Sequence, residues 1–130
     1  MSDRKTQVPT QTPTYRTLSY EEVNELLKGE GYKYIAGWSE FEAYAKFYCR
    51  QADGELECVK IWRNGRTGGR GGAVFRGTVE EVYCWIPWDT KGTIAPVRVK
   101  EALKTTLGVE VDTKKVEESY RSMINKVLGV

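Results

Sequence analysis

The sequence predicts an α+β domain: an antiparallel sheet of three to four strands, with an N-terminal helix and a C-terminal helical hairpin packed on one face. Three observations carry that expectation. Residues 18–29 open on a helix-capping signature, residues 31–88 turn to aromatic and β-branched side chains punctuated by glycine, and residues 97–128 return to helical spacing. At 130 residues and 40% hydrophobic content there is room for a single core, so residues 18–130 are read as one domain.

Residues 1–17 hold five threonines, two prolines and two glutamines with almost no large apolar side chains. Such a segment buries too little surface to offset its ordering entropy, and a tail that is disordered or ordered by a partner is expected. Ser19-Tyr20-Glu21-Glu22 then has the S-x-x-E spacing of a capping box, and Leu18 and Val23 occupy the positions of a hydrophobic staple. Val23, Leu26 and Leu27 give the helix one apolar stripe, and Gly29 is expected to close it in the left-handed region.

Tyr32 to Trp38 reads as a strand. From Phe41 to Arg50 the pattern alternates, with Phe41, Ala43, Ala45, Phe47 and Cys49 on one side and Glu42, Tyr44, Lys46, Tyr48 and Arg50 on the other. Ser39-x-x-Glu42 also spells a capping box, with Phe41, Tyr44, Ala45 and Tyr48 at helical spacing. The strand is preferred, because Asp53-Gly54 follows as a type I′ hairpin signal and Leu56 to Arg63 supplies a partner. A two-residue turn there sets Arg50 against Glu57, Cys49 against Cys58 and Tyr44 against Arg63.

Asn64 to Gly72 is a loop of glycine and arginine. Ala73 to Ile86 is expected as a third long strand bent at Gly77 and ended by Pro87, although Thr78-x-x-Glu81 would equally start a short helix. Val97 to Leu107, closed by Gly108, and Thr113 to Leu128, closed by Gly129, form the hairpin. The last helix carries a stripe of Val116, Tyr120, Met123, Ile124, Val127 and Leu128, with Glu117 and Arg121 paired outside. A homodimer through that helix is one available assembly. A helix-turn-helix reading of the hairpin is disfavoured by its long acidic connection, Gly108 to Asp112.

The chain has no histidine, which removes the commonest general base, the commonest zinc ligand and every Ser/His or Cys/His pair. Cys49, Cys58 and Cys84 form no C-x-x-C, and no zinc site, metal or cofactor is expected. Free thiols are the default for a chain read as cytoplasmic, with a Cys49–Cys58 bridge forming under oxidation. The glycines fit neither a Walker loop nor G-x-G-x-x-G. Glu80 and Glu81, adjacent on a strand, would point apart and make a poor acid–base pair, so no catalytic residue is assigned. No apolar run approaches a membrane span, and no apolar stretch behind Met1-Ser2-Asp3-Arg4-Lys5 would serve as an export signal. Only three asparagines and three glutamines stand beside many charged residues, a leaning found in heat-adapted proteins.

The net charge is +2, yet Cys58 to Val79 carries Lys60, Arg63, Arg66, Arg70 and Arg76 with no acid, leaving the remainder net acidic. Six glycines share that stretch, and Arg70-Gly71-Gly72 is an RGG triplet. Guanidinium groups on a glycine-rich arm suit phosphate. Tyr44 and Tyr48 alternate with Lys46 and Arg50 on a strand face, a pattern suited to stacking unpaired bases between cations. Trp62, Trp85 and Trp88 read as core or rim. The expectation is a non-enzymatic binder of single-stranded or structured nucleic acid through Tyr44, Lys46, Tyr48, Arg50, Lys60, Arg63, Arg66, Arg70 and Arg76. Its rival is a protein-binding module, such as a small viral or mobile-element inhibitor or an assembly subunit acting in a host cytoplasm, because Arg, Tyr and Trp also anchor protein interfaces.

Overall fold

The computed structural model describes residues 18–129, so the expectation for the tail, residues 1–17, lies outside the described residues. Helix α1 (Tyr20–Gly29) begins on the predicted capping box: Ser19 Oγ accepts from the Glu22 amide at 3.2 Å and Glu22 Oε1 accepts from the Ser19 amide at 2.9 Å. Gly29 stays inside the helix, and Gly31, at φ 89°, takes the left-handed position expected of it.

Four antiparallel strands follow in a simple meander: β1 (Lys33–Glu40), β2 (Ala43–Ala52), β3 (Glu55–Arg63) and β4 (Arg70–Gly77). Asp53 and Gly54 both have positive φ, 52° and 80°, as the β2–β3 turn requires, and the register is the predicted one: Arg50 faces Glu57, Cys49 faces Cys58 and Tyr44 faces Arg63. Phe41 lies off the strand, fully exposed at φ 56° in the tight turn joining Glu40 to its partner Ala43. The helical alternative for Ser39–Tyr48 fails because β2 is paired along both its edges.

The third predicted strand is corrected. It ends at Gly77, and α2 (Val79–Asp89) begins on a second capping box, with Thr78 Oγ1 accepting from the Glu81 amide and Glu81 Oε1 from the Thr78 amide. Val82, Trp85 and Ile86, at helical spacing, are all buried, and Pro87 sits inside the last turn instead of ending a strand. Helix α3 (Pro96–Ala102) runs into a π-helical turn (Leu103–Leu107) that Gly108 closes at φ 70°. A 3₁₀ turn (Thr113–Lys115) leads into α4 (Val116–Leu128), closed by Gly129 at φ 76°.

The fold class stands as expected, but the helices do not share one face. Phe47, Cys49, Cys58 and Phe75 pack against Val82, Trp85, Ile86, Val99, Leu103 and Met123 of the C-terminal helices. On the other side Tyr48, Val59 and Ile61 pack against Val23 and Leu27 of α1. Both faces carry large apolar side chains, and a sheet of that kind must be covered twice.

Cys49 and Cys58, opposed in register, are joined in a buried disulfide with a Cα separation of 4.1 Å, which overturns the free-thiol default for this pair; Cys84 is free and buried. The bridge closes a short loop, and chain entropy gives it about 2.6 kcal/mol. Urea unfolding with and without reductant is expected to show that loss as a lowered midpoint, and an unchanged midpoint would refute it.

Candidate functional site

The nine residues singled out in the sequence separate into two groups. Tyr48 is fully buried beneath α1, where its hydroxyl donates to Asn24 Oδ1 at 2.6 Å and lies 3.0 Å from the Tyr20 hydroxyl. Burial and that Tyr20 contact push its phenol well above the ordinary tyrosine value. Lys46 stands between the rings of Tyr20 and Tyr34, 6.0 and 5.9 Å from their centroids. Arg50 bonds Glu57 at 3.0 Å and the Glu30 carbonyl at 2.5 Å while lying 4.4 Å above the Tyr32 ring. Arg76 faces Glu55, Asp53 and Glu57 at 3.1, 3.4 and 3.5 Å. The open tyrosine platform expected on this face is therefore not formed: α1 roofs it, and its arginines are satisfied by the chain's own carboxylates.

The other group gathers at the opposite end of the sheet. Tyr44, Lys60 and Arg63 border a cavity of about 400 Å³ together with Trp38, Trp62, Asp89 and Lys91, where β1 ends, β2 begins and the turn after α2 comes down. The register explains its shape. Trp38 and Trp62 are the partners of Ala45 on its two sides, so two indoles rise from neighbouring strands over one small residue. Two strand spacings put their backbones about 10 Å apart. The Trp62 indole leans across Gly71 of β4, where any Cβ would come within 2.9 Å of the ring. Glycine at 71 thus lets Trp62 tilt away from Ala45; Ala45 lies between the two strands' indoles, and Ala43, two residues along β2, lines the cavity beside them.

The polar groups are arranged around those rings. The Lys60 ammonium lies 2.6 Å from Asp89 Oδ2, at the end of α2, and that oxygen is buried with no hydrogen-bond partner beyond the ion pair among the described residues. Arg63 bonds Glu42, whose side chain is largely exposed, at 2.9 Å, and its Nε is buried without a hydrogen-bond partner. Lys91 and Gly92 turn the chain with φ of 52° and 85°. Arg66 belongs to the adjoining turn, which is held by the Asn64 and Gly69 backbones and by Asn64 Oδ1, and Arg70 opens β4 opposite Arg63. Arg70 donates to the Leu18 carbonyl at 2.9 Å. Among the described residues, Lys91, Arg66 and Arg70 have no carboxylate partner.

Sequence reasoning missed Trp38, Trp62, Asp89 and Lys91. The signal that finds the indole pair is the Phe41-Glu42 turn, because it fixes the register that aligns Trp38 with Ala45. A second cavity, of about 740 Å³, lies between α2, α3 and α4, lined by Tyr83, Cys84, Pro87, Trp88, Pro96, Val116 and Tyr120. Burial, with Glu80 and Glu81 nearby, pushes the Cys84 thiol up, away from thiolate chemistry.

Among the described residues no group of three potential ligands is placed to hold a metal ion, and no helix is long and apolar enough to cross a membrane. No family model, curated protein or solved structure matches the chain.

Proposed function

We propose that this protein binds single-stranded nucleic acid without chemistry on it, seating an unpaired base between Trp38 and Trp62 and leading the backbone past Arg63, Lys91, Arg66 and Arg70. The single observation behind this reading is the alignment of two indoles on either side of Ala45 with cations at their rim. Flat aromatic faces bind any base by stacking, and a cationic groove beside them tracks the phosphates. Arg63 remains available, because an exposed ion pair such as that with Glu42 contributes at most about 1 kcal/mol and exchanges readily for phosphate.

Anisotropy of a labelled oligonucleotide across a salt series tests the reading. Four phosphate contacts on a single strand give a slope of about −3 in log affinity against log salt, and removing Arg66 or Arg70 is expected to reduce that slope by about 0.7 each. Absence of binding at low salt ends the proposal.

The second cavity favours another reading, a protein-binding module. Trp88 and Tyr120 are partly exposed over an apolar lining, and aromatic residues of this kind anchor protein interfaces. Trp88→Ala leaves oligonucleotide affinity unchanged if the slot holds the base, and an affinity loss comparable to that of the slot variants would move the oligonucleotide to the second cavity.

A further inference from the structure

Resting on the single-strand reading, we infer that the slot prefers guanine, read along its Watson–Crick edge by Asp89 and Lys60. A slot that worked by stacking alone would need no charge inside it, yet this one contains a carboxylate and an ammonium 2.6 Å apart. About a fifth of each side chain is exposed, 19% for Lys60 and 21% for Asp89, so the pair is partly open to solvent while Oδ2 itself is covered. Asp89 Oδ2 is buried and is held by the Lys60 ammonium, with no further hydrogen-bond partner among the described residues. A partly withdrawn ion pair is costly to break unless both charges are paired again, so a base that enters must bring donors to the carboxylate and an acceptor to the ammonium.

The chemistry of the four bases then decides which one fits. Guanine presents two adjacent donors, N1–H and N2–H, which a carboxylate takes as a parallel pair much as it takes a guanidinium. The neighbouring O6 accepts, and an ammonium beside the carboxylate is placed to donate to it. Adenine offers one donor next to a ring acceptor that would face the carboxylate. Cytosine offers one donor followed by two acceptors, and thymine or uracil one donor between two acceptors. Guanine alone brings two donors to the carboxylate, taking Oδ2 over from the ammonium, and still presents an oxygen to the released lysine, and its two fused rings also give the larger stacking area.

The test uses a labelled octathymidine and three versions carrying one guanine, adenine or cytosine, measured by anisotropy on the whole chain at one salt concentration. A good bidentate contact gives a discrimination of about tenfold to a hundredfold, expected for guanine over thymine. In Asp89→Asn the ratio of guanine to thymine affinity is expected to collapse to about one, whatever the absolute affinities. Lys60→Gln, checked with Asp89→Asn for an unchanged melting transition, should reduce the same ratio severalfold. Binding of all four oligonucleotides with equal affinity overturns the guanine inference and leaves the single-strand reading standing. Failure of all four to bind at low salt overturns both.

Discussion

Replacing Trp38 and Trp62 together with alanine is expected to weaken oligonucleotide binding by about two orders of magnitude or more. Each ring that stacks on a base contributes about 1–3 kcal/mol, and the two act on opposite faces of one base. The rings also belong to the fold. Both pack on the core beneath α2, and Trp62 covers Gly71, so the double variant loses stability as well as affinity. Two further variants separate those effects. Trp38→Phe and Trp62→Phe keep a flat face and are expected to stay within about threefold of the parent, since stacking is tolerant of which ring supplies it. Ala43→Leu removes no aromatic group and fills the cavity from its β2 wall, so it should abolish binding in a domain that still melts cooperatively. Tryptophan emission should change on titration with oligonucleotide in the parent and remain flat in Ala43→Leu. An Ala43→Leu protein that binds as the parent does would place the base elsewhere.

The parts of this molecule that were legible from sequence are those fixed by short-range physics. The β2–β3 register followed from one turn, because Asp53-Gly54 fits a two-residue type I′ geometry and any slip would separate Arg50 from Glu57. The α1 boundary followed from a capping box in the same way. An identical signal at Thr78–Glu81 was outweighed by the aromatic residues after it. Tyr83, Trp85 and Trp88 are common in strands, yet here they lie on a helix whose apolar residues face the core. The candidate site was harder, since a count of charges along the chain ignores partners across the sheet. The arginine stretch contains no acid, but Arg76 pairs with Asp53, Glu55 and Glu57, all of them just outside it in sequence and beside it in space. Arg66 keeps no carboxylate because its turn projects beyond the last paired residues, and Arg70 faces Arg63 across the β3–β4 ladder and donates to the Leu18 carbonyl instead. Covering of the tyrosine face was foreshadowed by Val59 and Ile61, which share that face on β3 and cannot be left to water.

Removing Glu81 is expected to cost about 4 kcal/mol, a large part of what a domain of this size has to lose. Its side chain is 5% exposed and serves three elements at once. Oε1 accepts from the Thr78 amide and from Lys126 Nζ, each at 2.8 Å, and Oε2 accepts from the Ser122 hydroxyl. One carboxylate therefore caps α2, ties α4 to it, and holds the end of β4, whose Arg76 carbonyl accepts from the same ammonium at 3.3 Å. Glu81→Ala leaves the Thr78 amide and the Ser122 hydroxyl without their acceptor, at about 1–3 kcal/mol each, while the Thr78 hydroxyl keeps its bond to the residue-81 amide. Lys126 itself is 42% exposed and returns to water at little cost. Burial pushes the Glu81 carboxyl up, and the Lys126 ammonium, the Ser122 hydroxyl and the Thr78 amide together pull it further down, so it ends below the ordinary carboxylate value. A carboxyl whose value is lower in the folded chain than in the unfolded one stabilises fully above the unfolded value and loses that contribution as pH falls through the folded one. Urea midpoints measured from neutral pH down through the carboxylate range should therefore fall, and Glu81→Gln, which keeps the shape and one acceptor, should start lower and fall less steeply. Parallel pH profiles for the two proteins would mean that Glu81 is held by packing alone and that its charge does not stabilise the junction of β4, α2 and α4.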